Sequence, residues 1–360
     1  MFWSKDDIVE RLAKIPRTLE DISVEIFDGV PSTNDFLHRV SLSRENSPDA
    51  PYVCRHLYKN VNIEQELMYP YLDSALPNEF AIRATQYRFM LPYEIRGCGV
   101  RKEYRIFQPG ELNTKFPMAY ERLLGIKSKL GTEGEKLDSA DCYRLEDERF
   151  LQYINTPKII ITDHYRLQAS YDAAGNHVFA GGIGVILGDP SMYHYVTAVL
   201  NSSISRAFPE IWNREKKCTS NTICPKILKR FPIKFPKGEP VETLISTISR
   251  YLIYLNSQKH TASVCSLPYY QKLIDFYKRI MDLLILDTYL TNDLDPRFLE
   301  ILAENIISPE EGFEYITDMS LLISMQAVKK NILDSPDFRK CKFNNEFTNI
   351  LATLKNNVVW

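Results

Sequence analysis

Proline and glycine cluster in one short stretch of this chain, and that stretch limits where regular secondary structure can continue. Pro232, Pro236, Gly238 and Pro240 all lie within residues 231–240. Such a cluster can continue neither a helix nor the interior of a sheet, so it indicates a boundary. Strand and helix patterns alternate before it, and only helical patterns follow it. The sequence therefore predicts an α+β fold, a body of mixed strands and helices followed by an all-helical C-terminal part.

Three parts are predicted along the 360 residues. Residues 1–17 form an N-terminal helix, residues 18–235 form the mixed body, and residues 241–360 form a helical domain for docking or dimerisation. Inside the body, the β-branched run 158–162 predicts a buried strand, and the stretches on either side of 172–176 predict a hairpin.

Helices are expected at several further places in the chain. In the body, the predicted helices cover residues 63–76, 116–130 and 193–208. Beyond the boundary, they cover residues 241–257, 269–288, 296–305, 309–330 and 346–355.

The net charge of −2 hides an uneven distribution along the chain. Residues 80–130, the first basic block, hold ten Lys/Arg and four acids, a net of +6. Residues 206–237, the second basic block, hold nine Lys/Arg and two acids, a net of +7. Residues 241–360 carry a net of −3. Two basic blocks indicate a polyanionic partner, unless acids nearby in space compensate them.

Several classes of enzyme lack their signatures in this sequence. There is no phosphate-binding G-x-x-x-x-G-K-[ST] loop, and the glycines at 181–184 lead into a strand rather than a helix. The Asn-Pro-Pro-Tyr or Asp-Pro-Pro-Tyr motif, which holds the flipped adenine in amino-methyltransferases, does not occur. The E-x-K pattern at Glu215–Lys217 resembles that of metal-dependent nucleases but lacks a second acid on an adjacent strand. Seven irregularly spaced cysteines predict a reducing cytoplasm, and the lack of a long apolar run predicts no transmembrane helix. The six histidines are spread out and no H-E-x-x-H motif occurs, so no metal or cofactor is expected on this chain.

Seven motifs follow one another in an order that resembles the TaqI-like target recognition domain of bacterial Type IIG restriction–modification enzymes. The family's Leu-Asn-Ser helix end is present as Leu200-Asn201-Ser202, and its closing strand as Phe231-Pro232-Ile233. The seven motifs lie at residues 19–35, 88–94, 116–130, 157–160, 171–175, 193–202 and 227–233.

This resemblance implies sequence-specific binding of double-stranded DNA. Type IIG chains carry methyltransferase motifs upstream, and this chain has none, so it is expected to be a stand-alone, non-catalytic specificity subunit. Its partner is expected to be a methyltransferase/endonuclease that uses S-adenosylmethionine and Mg²⁺ in DNA methylation and phage defence. Two alternatives stay open, a metal-dependent DNA nuclease and a protein-interaction module that binds acidic partners.

Polar and basic side chains on predicted loops are the predicted DNA-binding residues, because such side chains reach base edges and phosphates. Gly97 and Gly99 would let one such loop approach the duplex closely. The predicted residues are Thr33 and Asn34 in the first turn, Arg96, Arg101 and Lys102 after the Pro-Tyr strand, Arg166 and Gln168 beside the hairpin, and Arg214, Lys216, Lys217, Thr219, Ser220 and Asn221 in the second basic block.

Overall fold

A computed structural model of the chain has the predicted α+β fold. The structure describes residues 5–31, 35–42, 52–54, 59–73, 79–83, 85–97, 99–129, 137, 139–162, 167–208, 223–292, 294–306 and 318–340.

Strands in the described residues form two sheets and a separate hairpin. The strands are β1 Ser23–Asp28, β2 Arg39–Leu42, β3 Tyr52–Cys54, β4 Lys59–Val61, β5 Met68–Leu72, β6 Tyr87–Met90, β7 Tyr93–Arg96, β8 Glu103–Ile106, β9 Lys158–Thr162, β10 Ala169–Asp172, β11 Val178–Phe179 and β12 Gly182–Leu187. One sheet has the order β1-β12-β9-β10, the other has the order β11-β5-β6-β2-β3-β4, and β7 pairs with β8.

Helices lie between the strands and make up the described part of the C-terminal segment. The α-helices are Lys5–Ala13, Leu19–Ile22, Asp35–His38, Pro109–Lys115, Pro117–Lys129, Tyr193–Asn201, Pro225–Leu228, Glu239–Thr261, Leu267–Leu286, Pro296–Asn305, Asp318–Asp334 and Pro336–Lys340. Shorter turns are the 3₁₀ helices Gln65–Leu67, Ala140–Tyr143, Arg149–Tyr153, Pro190–Met192 and Ser203–Ala207, and the π-helical turn Asp287–Thr291.

The four-stranded sheet shares one hydrophobic core with the C-terminal helices. β9 and β12 are buried along their whole length, as their β-branched residues favour. Val196, Leu252 and Leu284, each from a different helix, belong to the same fully buried cluster as these strands. The division of the chain between 235 and 241 stays a prediction, but the helices that follow it complete the core of the sheet.

The six-stranded sheet has a second core. Tyr71, Phe89 and Met90 from β5 and β6 pack there with Leu123 of the helix Pro117–Lys129. The β7–β8 hairpin adds its buried residues to this cluster. The first basic block therefore packs on the core of the six-stranded sheet. The C-terminal helices pack on the core of the four-stranded sheet.

The prediction of a helix over 63–76 is wrong. Residues 68–72 form β5, which pairs with β6 on one side and with β11 on the other. Pro70 lies inside this strand, and proline interrupts a helix because it lacks an N–H group and clashes with the preceding turn. The aromatic side chains around it fit a pleated, half-buried surface, and pairing with two neighbours decides in favour of the strand.

The hairpin predicted around 172–176 is also wrong. β10 pairs with β9 in the four-stranded sheet, while β11 runs parallel to β5 in the other sheet. The Asp172 carboxylate accepts hydrogen bonds from the backbone N–H groups of Gly175 and His177, which turns the chain between the two sheets. The helix predicted over 193–208 ends at Asn201 and continues as a 3₁₀ turn.

Candidate nucleic-acid interface

The β7–β8 hairpin carries three of the predicted DNA-binding residues, Arg96, Arg101 and Lys102. Its strands pair from Tyr93↔Ile106 to Arg96↔Glu103, so the connecting loop begins directly after Arg96. Gly97 and Gly99 adopt φ values of +96° and +85°, which L side chains rarely adopt. A Cβ atom at either glycine would meet nothing within 4 Å, so both glycines face open space.

Acidic side chains neutralise part of the first basic block. The Glu94 carboxylate binds Arg96 at 2.6 Å and Arg105 at 2.6 Å. Hydrogen bonds from Arg96 and then Arg105 hold the pKa of Glu94 below its usual value. Glu111 binds Arg105 and Lys115, and these bonds lower the pKa of Glu111 to about 2. The net charge of this block therefore overstates how many of its cationic side chains could bind a polyanion, because acidic side chains already bind some of them.

Lys102 and Arg101 have different surroundings in this loop. The Lys102 ammonium donates to the Thr156 hydroxyl at 2.8 Å and to the Gly99 carbonyl at 3.1 Å. The Lys102 backbone N–H donates to the Gln152 carbonyl at 3.2 Å. These bonds make Lys102 an anchor of the loop, and its contact with DNA stays a prediction. Arg101 is exposed.

A surface cleft of about 380 Å³ lies beside this loop. Three segments line it: residues 25–28 of β1, residues from Asp147 to Tyr153, and the helix Pro225–Leu228 with Lys229 directly after it. The anchored loop brings Arg101 close enough to Tyr153 to oppose the rise in its pKa. Lys226 and Lys229 belong to the second basic block, so the cleft is lined by lysines of that block and lies near Arg101 of the first block.

Acidic groups alternate with cationic groups around the cleft. The Arg149 side chain is 80% exposed and binds the Asp147 carboxylate. Lys229 binds Glu20 at 3.3 Å, an exposed ion pair that contributes little to stability. Lys226 is exposed at the edge of the cleft.

An aromatic pair forms part of the cleft wall. The rings of Phe27 and Tyr153 lie 4.4 Å apart, and the Tyr153 hydroxyl donates to Glu25 Oε2 at 3.2 Å. Burial, reinforced by the Glu25 carboxylate, raises the pKa of Tyr153 to about 12. Tyr153 therefore keeps its proton at neutral pH and serves as a donor.

The other predicted DNA-binding residues divide into two groups. Gln168 is half-buried, and its backbone exchanges hydrogen bonds with Thr162 at the end of β9. The pairing of the strands puts Gln168 at the same end of the four-stranded sheet as Asp28. Asp28 lies three strands away, on β1, and lines the cleft. The predicted residues outside the described part of the chain are Thr33, Asn34, Arg166, Arg214, Lys216, Lys217, Thr219, Ser220 and Asn221.

Sequence reasoning missed four residues of the cleft. Lys226 and Lys229 were counted in the second basic block but not singled out. Arg149 and Tyr153 lie in or beside an acidic, polar stretch with no periodic pattern. Only the charge of the second block offered a signal, because the pairing of β1 and the packing of residues 147–153 are long-range features.

Two classes of feature are absent from the described residues. In the part of the chain that the structure describes, no three His, Cys, Asp or Glu side chains cluster as metal ligands would. None of the described helices is long and apolar enough to span a membrane.

Comparison with solved structures finds 19 chains that are similar to this one. The structure of the Type IIL restriction–modification enzyme MmeI in complex with DNA resembles this chain, with 10% sequence identity and a TM-score of 0.43. The match covers 88% of this chain and 37% of that chain, so this chain spans little more than a third of that enzyme's length. At this level the similarity is one of coarse fold. No family model and no curated protein matches the chain.

Proposed function

We propose that this chain is the sequence-specificity subunit of a bacterial restriction–modification or related phage-defence complex. Residues 18–235 act as a TaqI-like target recognition domain that binds double-stranded DNA. Methylation and cleavage belong to a catalytic partner that uses S-adenosylmethionine and Mg²⁺, and this chain has no catalysis of its own.

The approach of Arg101, from the first basic block, to a cleft lined by lysines of the second block carries this proposal. Lys226 and Lys229 line the cleft, and Arg101, more than a hundred residues away in sequence, lies near its wall at Tyr153. Lysine ammonium groups on flexible stems suit phosphate contacts, which position a duplex. The exposed Arg101 lies on a loop beside them, and a guanidinium fork matches the major-groove edge of guanine. One surface thus supports both the positioning and the reading of DNA.

The salt dependence of DNA binding tests this proposal. Each phosphate contact adds about 0.9 to the slope of log K against log salt, so Lys226→Ala with Lys229→Ala should reduce the slope by about 1.8. The control is Lys272→Ala with Lys330→Ala, which removes the same charge from exposed positions on the C-terminal helices. Fluorescence anisotropy with labelled duplex between about 50 and 200 mM salt measures the slope.

Three outcomes would contradict the proposal. A flat salt response, or equal losses in the two double variants, would support the protein-interaction alternative. Mg²⁺-dependent cleavage of DNA by the purified chain would support the nuclease alternative. Transfer of a methyl label from S-adenosylmethionine by the chain alone would place the catalysis here instead of on a partner.

We place the contact with the catalytic partner on the C-terminal helices. Helices Leu267–Leu286 and Asp318–Asp334 frame an apolar groove of about 380 Å³, with Leu273 in its wall and exposed Lys272 and Lys330 beside it. Apolar surface between lysines is complementary to an acidic amphipathic segment, so the proposed occupant is such a segment of the catalytic chain. Truncation would uncover the shared core, so substitutions on the surface are the appropriate test.

A charge-reversal variant of the groove and the alanine variant of the cleft serve as reciprocal probes. Lys272→Glu with Lys330→Glu should abolish co-purification with the catalytic chain and retain DNA binding. Lys226→Ala with Lys229→Ala should weaken DNA binding and retain co-purification. Retention of the catalytic chain by the Lys272→Glu, Lys330→Glu variant would refute this docking surface.

A further inference from the structure

The hydroxyl of Thr156 connects the loop that carries Arg101 to the interior of the fold. Thr156 is buried, with 6% of its surface exposed. Its hydroxyl accepts a hydrogen bond from the Lys102 ammonium at 2.8 Å and donates to the Gly99 carbonyl at 3.4 Å. The Lys102 ammonium donates to the same carbonyl at 3.1 Å. These three groups form a closed triangle that holds the loop on both sides of Arg101.

The backbone around Thr156 is itself closely packed. A Cβ atom at Gly175 would lie 2.2 Å from the Thr156 carbonyl, so the two segments are in direct contact. The Gly175 N–H donates to Asp172 at 3.0 Å, and the Gly175 carbonyl accepts from the Lys158 ammonium. Lys158 and Asp172 form an ion pair in which each side chain is only 2% exposed. A buried polar network of this kind favours a single arrangement, so Thr156 offers the loop a fixed point of attachment.

Glycine makes this loop costly to order. Gly97 and Gly99 both adopt positive φ, and glycine loses more conformational freedom on ordering than any other residue. A guanidinium reads guanine only when two of its N–H groups meet O6 and N7 together. A residue that orders the loop therefore sets how well Arg101 can read a base.

We propose that Thr156 and Lys102 are positioning residues for sequence recognition, which hold the loop so that Arg101 contacts one base pair. This inference rests on the proposed function, since Arg101 must read a base. Thr156 is buried away from DNA, and the Lys102 ammonium directs two of its three donors to Thr156 and Gly99. Loss of this attachment should change the base preference and leave the phosphate contacts unchanged. This role differs from the DNA contact that the sequence predicts for Lys102.

The test compares variants of the full-length protein in competition binding by fluorescence anisotropy. The preferred site is first selected from random duplexes, and the competitors are all of its single-base variants. Arg101→Ala identifies the base pair that this arginine reads. One bidentate contact provides about 5- to 150-fold discrimination, and Thr156→Val should remove most of it at that same base pair. Thr156→Ser keeps the hydroxyl and should retain the preference.

A double variant shows whether Thr156 acts through Arg101. At the base pair in question, Arg101→Ala with Thr156→Val should lose no more discrimination than Arg101→Ala alone, because a positioning residue acts only through the residue that it positions. Additive losses would mean that Thr156 acts independently of Arg101, which would overturn the inference.

Two further variants separate positioning from other effects. Lys102→Met removes the ammonium and should reproduce the effect of Thr156→Val with an unchanged salt slope. If Lys102 instead contacts phosphate, the slope of log K against log salt should fall by about 0.9 and all sequences should bind more weakly. Thr197→Val is the matched control and should leave the preference unchanged. Thr197 is fully buried in the helix Tyr193–Asn201, and its hydroxyl has no hydrogen-bond partner among the described residues.

A second measurement needs no DNA. Trypsin cleaves after the exposed Arg101 when the loop opens, and mass spectrometry identifies this cut. Loss of a hydrogen bond to a charged group should speed the cleavage about tenfold in Thr156→Val, and Thr197→Val should not change it. Equal cleavage rates in the wild-type protein and Thr156→Val would overturn the attachment of the loop.

The outcomes distinguish this inference from the proposed function. An unchanged base preference in Thr156→Val or in Arg101→Ala, in a protein that binds duplex DNA with a steep salt dependence, would overturn the positioning role and leave the proposed function intact. A lower salt slope in Lys102→Met would do the same. Failure to bind any duplex would overturn the proposed function and this inference with it.

Discussion

Acid should destabilise this fold through the buried imidazole of His38. The side chain is fully buried, its Nδ1 donates to the Met90 carbonyl at 2.7 Å, and its ring stacks on Phe89. Burial lowers the pKa of His38 from 6.5 to about 4, against the opposing hydrogen bond to Met90. The folded protein therefore holds this imidazole neutral over a pH range in which the unfolded chain protonates it.

The sign and size of the effect follow from these pKa values. Between pH 6.5 and about 4 the unfolded chain binds more protons, so stability falls as the pH falls through this window. The difference between the two values corresponds to about 3 kcal/mol in all, and integration gives a loss of about 2 kcal/mol by pH 5. This is a sizeable fraction of the 5–15 kcal/mol, approximately, that stabilises an ordinary domain.

Urea unfolding of the wild-type protein and of His38→Asn at about pH 8 and pH 5 measures this loss. Asparagine keeps a donor for the Met90 carbonyl and does not titrate. The stability difference between the two proteins should change by about 2 kcal/mol between the two pH values. His194, whose pKa burial also lowers to about 4, contributes equally to both proteins and cancels. An unchanged difference would refute the reasoning.

Three further substitutions test the ion pair, the turn and the loop. Asp172→Asn leaves the Lys158 ammonium buried without a counter-charge, so calorimetry should show a lower Tm and a loss of about 3–5 kcal/mol in the free energy of unfolding; an unchanged Tm would contradict the role of this pair. Gly175→Ala should destabilise the fold much more than Gly99→Ala in urea unfolding, because both glycines have positive φ but only at Gly175 would a Cβ lie 2.2 Å from neighbouring backbone; equal losses would count against this close approach. Arg101→Ala should relax the preference at one base pair by about 1–3 kcal/mol in competition over all single-base variants of the site, whereas a uniform loss would mean that this arginine only contacts phosphate.

Elements with strong local signals were predictable from the sequence. The strand over 158–162 has the predicted bounds, because three consecutive isoleucines favour a pleated conformation wherever they are buried. The helix Pro296–Asn305 also has the predicted bounds. Asp295 accepts a hydrogen bond from the Arg297 N–H, and Pro296 occupies the first helical position, where its missing donor is not needed.

The candidate interface was predictable only in part. The two basic blocks and the open glycine loop after Arg96 follow from residue types and short spacings. The cancellation of charge by Glu94 and Glu111 does not, because it depends on which carboxylates the hairpin and the helix Pro109–Lys115 bring to Arg105. Charge counted along a sequence gives the total, and only the fold shows which charges have partners.

Residue types and short spacings were enough to predict the α+β class, the strands with β-branched runs, the capped helices and the position of both basic blocks along the chain. Only the three-dimensional arrangement shows that residues 68–72 form a strand, that β11 joins the other sheet, and that Arg101 lies near a cleft lined by Lys226 and Lys229. The physical reason is the range of the interactions. Helix caps, turns and β-branched strands depend on neighbours a few residues away. Strand pairing and core sharing depend on residues far apart in sequence, and here they override local preference.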